Sequence, residues 1–575
     1  MNHIVNRKSI ISLIVALTLV AAFAGSFLLR NATTTPAHAA SPRTGASNNA
    51  FCSRIDHGIE ASAGARMYCF GPQTSSSSAK TVGGNTSGSN VNAANPKEDI
   101  TPNGTRAYGQ SETSIAGNAT YAVEAWNDAT GFFAPCTSPM FKEELTGLGF
   151  SANGGGSFRD LGGLRNNCKT GFFYFGDPTV ETWQSGGTTY FYIASLYINV
   201  ITGQSDLAMD ACKVSGTGSS ATLSCSLPII VAAGIIPTTT KGDFLDKDFF
   251  SIDPQRGRLY MSYTRFGLFS TSPYFQGQVE LAVCNLKANP AHPVCYPGTS
   301  TAPYFVVRSG QACENEGAYP AVDIHSGAVY VAWEYNWATN FQGPAPCNTT
   351  EHVQNRVAYV PFSCLTLTST SPCTTTPRTA SVNIVSIDLA FIPGYNRVPF
   401  QAGNAPPSDF PRIAVSDPYG TVTIVWNDTR SHGLGDILLQ SFNLVSLSSV
   451  QSTPTRINPD TGGLHFLPAL RQAQASGLID VSYYQRDSAN TDSTNVDAVL
   501  NLNPRTTGPG SRTRVTNVPS AWIDTSSDII PNFGDYTDNY VQAVSQAPYY
   551  NDRLYVAWSD GRLGFPQPFE AHGIG

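Results

Sequence analysis

Residues 319–335 read YPAVDIHSGAVYVAWEY. An apolar run is followed by a turn with Ser326 and Gly327, then by a second run ending on Trp333. In the second run Val329, Val331 and Trp333 face one way, and Tyr330 and Ala332 the other. Both sets are apolar, so the sheet has two faces to cover.

The same pattern returns along the chain. It appears in TSIAGNATYAVEAWND, GDPTVETWQSGGTTYFYIAS, KDFFSIDPQRGRLYMSYTR, FPRIAVSDPYGTVTIVWNDTR, LPALRQAQASGLIDVSYYQRD and DRLYVAWSDGR. The second runs end near Trp126, Ser195, Tyr263, Trp333, Trp426, Tyr483 and Trp558, at spacings of 57 to 93 residues. Each unit has room for about four strands, and a long-period repeat of short strands signals a radial or linear array. Sheets stacked around an axis cover both faces, which predicts an all-β fold: a β-propeller of seven four-stranded antiparallel blades, with six the alternative. The last unit stops soon after its second strand. An N-terminal segment, with ARMYCFGP at 65–72 the candidate, is expected to complete that blade and protect its edge.

Composition agrees. The 575 residues are 11% aromatic and 13% charged, rich in Gly and Pro, and no long stretch beyond the N-terminus has helical periodicity. Residues 1–39 read as an export signal, with Arg7 and Lys8 ahead of an apolar run from Ile10 to Leu29 and a small-residue site at Ala37 and Ala39. An uncleaved anchor is the alternative, since the run is long enough to span a bilayer. Removing residues 1–39 takes away Arg7, Lys8 and Arg30 and no acid, so the formal charge moves from −7 to −10. An acidic chain argues against nucleic acid as partner. Residues 40–110 form a Ser/Gly/Asn-rich segment and linker, and 111–575 the propeller.

Twelve cysteines lie beyond the signal. Pairing of sequence neighbours gives Cys52–Cys69, Cys136–Cys168, Cys212–Cys225, Cys284–Cys295, Cys313–Cys347 and Cys364–Cys373, each stapling one loop or hairpin of an exported protein. The location expected is extracellular or cell-surface, as a monomer with no stable membrane span after processing. Asn85, Asn118 and Asn348 begin N-x-S/T triplets that matter only in a glycosylating host.

The stretch FSANGGGSFRDLGG, 150–163, lies late in the first unit. No Lys-Ser/Thr and no helix follow, so it is not a phosphate loop. It reads as a glycine-turned hairpin between the third and fourth strands. Ser151, Asn153, Gly155, Ser157 and Phe158 resemble the Asp box, S-x-D-x-G-x-T-W, of the sialidase-like (BNR-repeat) β-propellers of exported bacterial type. Asn153 replaces the aspartate, Ser157 the threonine and Phe158 the tryptophan. The resemblance implies a structural hairpin at the blade periphery. It also implies a search for three arginines that clamp a carboxylate, a tyrosine nucleophile helped by a glutamate, and an acid/base aspartate. Arg412, in FPRI rather than the family's F-R-I-P, is the nearest match. Arg471 holds the equivalent place one unit later, and Tyr483 lies on a second strand; no glutamate stands near it in sequence.

A polar residue precedes each first strand: Glu112, Asp177, Asp246 with Asp248, Glu314 with Glu316, Asp409, His465, and Asp535 with Asp538. First strands line a propeller's axis, so these groups would converge on one mouth of the channel. Converging carboxylates raise one another's pKa or recruit a cation. Two readings stay open. One is a site: calcium at Asp246, Asp248, Asp535 and Asp538, or a glycan held by Asp177, Asp248, Glu316, Asp409, His465 and Asp535. In the other, each acid bonds the loop amides of its own blade. Asp428/Arg430, Arg486/Asp487 and Asp560/Arg562 are expected as structural pairs. Function is therefore expected among three classes: an exported propeller that recognises or cleaves a glycan or glycoprotein in the manner of a sialidase, a non-catalytic adhesion module, and a hydrolase of another substrate.

Overall fold

The computed structural model describes residues 63–70, 90–100, 107–133, 144–238, 242–267, 276–311, 315–335, 353–374, 376–385, 410–431, 435–474, 476–486, 493–521, 525, 527–529, 533–542 and 553–574. They form a seven-bladed β-propeller. The inner strands of blades 1 to 7 are Gln110–Gly117, Thr179–Ser185, Asp243–Asp253, Asn315–Val322, Arg412–Ser416, Leu464–Gln472 and Asp538–Gln542. In blades 1 to 6 the strands pair antiparallel from the inside outward, with extra outer strands in blades 2, 3 and 6, and in blade 2 Phe172–Tyr174 pairs with the second strand beside the inner one. Residues 110–117 open a blade of their own, so the six-bladed alternative is excluded.

The alternation read at 329–333 is the packing rule. Val329, Val331 and Trp333 lie in the core on one side of blade 4, and Tyr330 and Ala332 in the core on the other. The aromatic ending the second strand also anchors its own turn. The indole N–H of Trp126, Trp426 and Trp558 donates to the carboxylate two residues on, Asp128, Asp428 and Asp560, at 3.3, 3.0 and 2.8 Å. That carboxylate accepts the backbone N–H of Thr130, Arg430 or Arg562, at 2.8, 2.9 and 2.8 Å. Arg430 and Arg562 add ion pairs of 2.7 and 2.6 Å to the same acids. Asp487, the third expected partner, lies outside the described residues.

Blade 7 is closed from the N-terminal side, but by a different segment from the one expected. Val91 pairs with Glu570 and Asn92 with Phe569. Residues 63–70 are a helix, Ala63–Phe70, whose Tyr68 packs on Phe244 with ring centroids 5.2 Å apart. Ala, Arg and Met favour helix, which explains the exchange.

Cys212–Cys225, Cys284–Cys295 and Cys364–Cys373 are disulfides. Cys69 and Cys168 are disulfide-bonded too, while Cys52, Cys136, Cys313 and Cys347 lie outside the described residues. No helix among the described residues is long and apolar enough to cross a membrane. The glycine turn connects the third and fourth strands of blade 1. Ser151 Oγ accepts the Gly155 N–H at 2.9 Å, and Asn153 Oδ1 accepts the Ser157 N–H at 2.9 Å. Phe158 packs against Trp126 and Ala93 at the seam with blade 7.

Candidate functional site on the propeller axis

Four inner strands slip register at the same place: between Ser111 and Ser114, Asp246 and Phe249, Glu316 and Tyr319, and Phe466 and Ala469. Within each slip one residue takes a positive φ: Glu112 (52°), Lys247 (58°), Gly317 (64°) and Leu467 (46°). Asp177, just before the inner strand of blade 2, does the same at 59°. Such a bulge re-aims the side chain it carries. Here it brings Glu112, Asp177 and Lys247 together. The amide side chain of Asn127 steadies two of these turns, donating to Glu112 at 2.8 Å and accepting the Asp177 N–H at 2.7 Å. Gly534, at φ 77°, leaves room where a Cβ would lie 2.1 Å from Glu112 Cγ.

Of the groups expected at this mouth, Glu112, Asp177, Asp246 and Asp535 lie together, but they surround a lysine and are enclosed. Lys247 Nζ contacts the Asp535 carboxylate and stands 3.9 Å from Asp177. Its ammonium also faces the rings of Phe410 and Tyr536, 5.3 and 5.7 Å from their centroids. The first turn of the Ala63–Phe70 helix donates a backbone N–H from Gly64 to Asp177 at 3.1 Å. Burial opposes the Lys247 charge, yet Asp535, Asp177, Asp246 and Glu112 outweigh it and hold its pKa well above the ordinary value. Glu112 is pushed well up by burial, then by Asp177 and Asp535; Asp177 is raised chiefly by burial. Asp248 is also raised by burial, and neither of its oxygens has a hydrogen-bond partner among the described residues. The position a calcium ion was expected to fill thus holds the Lys247 ammonium. Among the described residues no three His, Cys, Asp or Glu side chains form a group able to hold a metal.

Side chains at alternate positions along the inner strands build the next layers. Arg412 lies 4.6 and 4.8 Å over the rings of Phe249 and Tyr319 and donates to Thr537 O at 3.0 Å. Beyond it stands Arg471, which donates to Glu181 at 2.7 Å and to Asn539 O at 2.8 Å and lies 3.5 Å from Asp538. Glu181 is raised to about 7, by burial first and against the pull of Arg471.

This layer floors a pocket of about 500 Å³ at the end where the inner strands finish. Trp183, Tyr540, Gln184, Gln472 and Asp417 are among its walls. Asp417 is raised to about 7, by burial first and then by the Asp323 carboxyl, with which it shares a hydrogen bond. Asp323 keeps its own charge; its side chain accepts the His325 and Ser326 N–H groups at 2.9 and 3.0 Å. A dry floor, an indole, a phenol and amide side chains suit a polar ligand with apolar faces.

The expected catalytic set does not assemble. Arg412 and Arg471 share the axis, but each already has its partners. Tyr483 packs between blades 5 and 6 with Val425, Leu439 and Val481, edge-on to His465 at 5.7 Å. Burial pushes its phenol far above the ordinary value, which opposes the phenolate a nucleophile needs. His465 is not at the mouth either: its ring nitrogens lie 3.0 Å from Gly435 O and 3.0 Å from Asp460. Glu316 is buried in blade 4 opposite Glu334, Asp246 receives the Lys247 N–H at 3.0 Å, and Asp538 lies with Arg471 rather than with Asp535. Asp409 lies outside the described residues. Lys247, Glu181 and Trp183 were missed. Stepping by two along each inner strand from its bulge, as in Lys247–Phe249–Ser251, would have found them.

No family model matches the chain, and no curated protein does. Among solved structures it is similar to a Trypanosoma rangeli sialidase in complex with the inhibitor DANA, at 9% identity and a TM-score of 0.33, covering 87% of this chain and 60% of that one. It is similar to a Hadza microbial sialidase at 10% identity and TM-score 0.34, covering 69% and 64%. It is also similar to a protein of unknown function from Dyadobacter fermentans at 11% and 0.38, covering 69% and 93%. The chain thus spans under two thirds of the length of either sialidase. Likeness of this degree says nothing about chemistry.

Proposed function

We propose that this protein is an exported glycan-recognising propeller that binds its ligand in the axial pocket. The observation carrying this reading is the pocket itself, about 500 Å³ with Trp183 and Tyr540 among amide side chains over the Arg471–Glu181 floor. Sugar rings have apolar faces that stack on aromatic rings and hydroxyls that pair with amides. The disulfides, and the apolar run at 10–29 read as an export signal, support export. Binding is favoured over sialidase-type cleavage because Arg412, Arg471 and Tyr483 do not meet around a common space, and both arginines are already occupied.

Titration calorimetry of the purified protein against neutral and charged oligosaccharides tests this. Saturable binding, weakened at least about tenfold by Trp183→Ala, is expected, since an interface aromatic commonly contributes 1.4 kcal/mol or more, roughly. Binding that Trp183→Ala leaves unchanged would place the ligand elsewhere. A second reading, hydrolysis, has one observation in its favour: a Glu181 carboxyl at about 7 is suited to proton transfer near neutrality. Release of fluorophore from aryl glycosides, lost in Glu181→Gln, would establish it.

A further inference from the structure

The charged groups of the axial pocket carry a selectivity. Its lining holds three charged side chains: Glu181, Asp417 and Arg471. The cation is fully engaged. Arg471 Nε donates to Asn539 O, Nη1 to Glu181, and Nη2 faces Asp538. The guanidinium fork that would grip a carboxylate ligand is therefore taken, and two acids outnumber it. Arg412 lies one layer deeper, its Nη2 committed to Thr537 O and its face to Phe249 and Tyr319. An acidic sugar entering this pocket would meet acids and no open cation among the described residues.

At the rim the balance favours a ligand cation. Asp417 lines the pocket and is only half-buried; burial, then the neighbouring Asp323 carboxyl, raises its pKa to about 7. The surrounding titratable groups are His325, whose backbone N–H donates to Asp323 at 2.9 Å, and the Arg471–Glu181–Asp538 group below. An ammonium group at the rim can pair with the Asp417 carboxylate, with that of Asp323 beside it, in a cleft that weakens screening by solvent.

Resting on the glycan reading above, we infer that the axial pocket selects amine-bearing saccharides over acidic ones. The ligand's ammonium sits at Asp417 and its rings face the aromatic wall.

Three tetramers of equal length test it on the purified protein by calorimetry at pH 6.5: glucosamine, N-acetylglucosamine and galacturonic acid. The expected order is amine, then neutral, then acid, with the amine at least about tenfold tighter than the acid, as charge complementarity allows. Asp417→Asn, whose side chain keeps an oxygen at the same place, should bring amine and neutral tetramers to within about twofold, and added salt should do so in part. Galacturonate binding as tightly as glucosamine, or an amine preference untouched by Asp417→Asn, would overturn the selectivity while leaving the glycan site standing. Failure of all three to bind would remove the glycan reading itself, and binding indifferent to Trp183→Ala would place the ligand outside the axial pocket.

Discussion

Lys247 is the residue on which the closed end of the axis depends. Its ammonium offsets Asp535, Asp177, Asp246 and Glu112 in a space from which water is excluded. Lys247→Met leaves those acids facing one another, and the loss of one member of a buried ionic group typically costs about 3–5 kcal/mol. Chemical denaturation at pH 7 should show a loss of that size, and a loss under about 1 kcal/mol would mean the acids are relieved in another way. The convergence of these acids was legible because each stands near the start of a first strand. The lysine was not. In Asp-Lys-Asp at 246–248 strict alternation sends the lysine to the face opposite the two acids, and only the bulge at φ 58° turns it inward.

Among the elements, the seam between blades 7 and 1 combines ring closure with two buried acids. Glu124, on the second strand of blade 1, has neither oxygen bonded among the described residues. Burial raises it well up, and Glu570 across the seam adds to this. Glu570 is raised to about 7 by burial, against His572 at 3.0 Å. A folded-state pKa above the unfolded value near 4.5 means the folded chain prefers the proton. This contribution is complete below about pH 4.5 and is lost as pH rises through about 7. Glu570→Gln removes the loss, so it should raise stability at pH 8 by up to roughly 3 kcal/mol and change little at pH 4.5. Calorimetric melts at both pH values check it; equal effects at the two would sink the explanation. Hairpins and facing residues were readable here from alternation. The closing strand was not, because Val91–Asn92 is two residues long and too short to show a period.

For the molecule as a whole, seven sheets hide their faces on one another, and the three described disulfides each act within one blade. Their sequence separations of 13, 11 and 9 residues make them local staples. Reduction is expected to cost about 2–4 kcal/mol per bridge, lowering the melting temperature while the near-neutral circular dichroism of the ring persists below it. The ring itself depends on Val91. Val91→Pro removes the strand from the edge of blade 7 and should promote association through the exposed edge, read as a concentration-dependent rise in light scattering. The blade count was legible because a repeat is a one-dimensional signal. Which end of the axis is sealed and which is open was not, since it depends on side chains contributed by distant blades.

The pairing of Val91 with Glu570 also has a consequence in time. The outermost strand of the last blade is made well ahead of its partner, which follows 479 residues later. At ordinary rates of synthesis that interval is on the order of a minute. For its duration the early strand has nothing to join. A polypeptide released before residue 570 can stack several wedges yet never lock the circle.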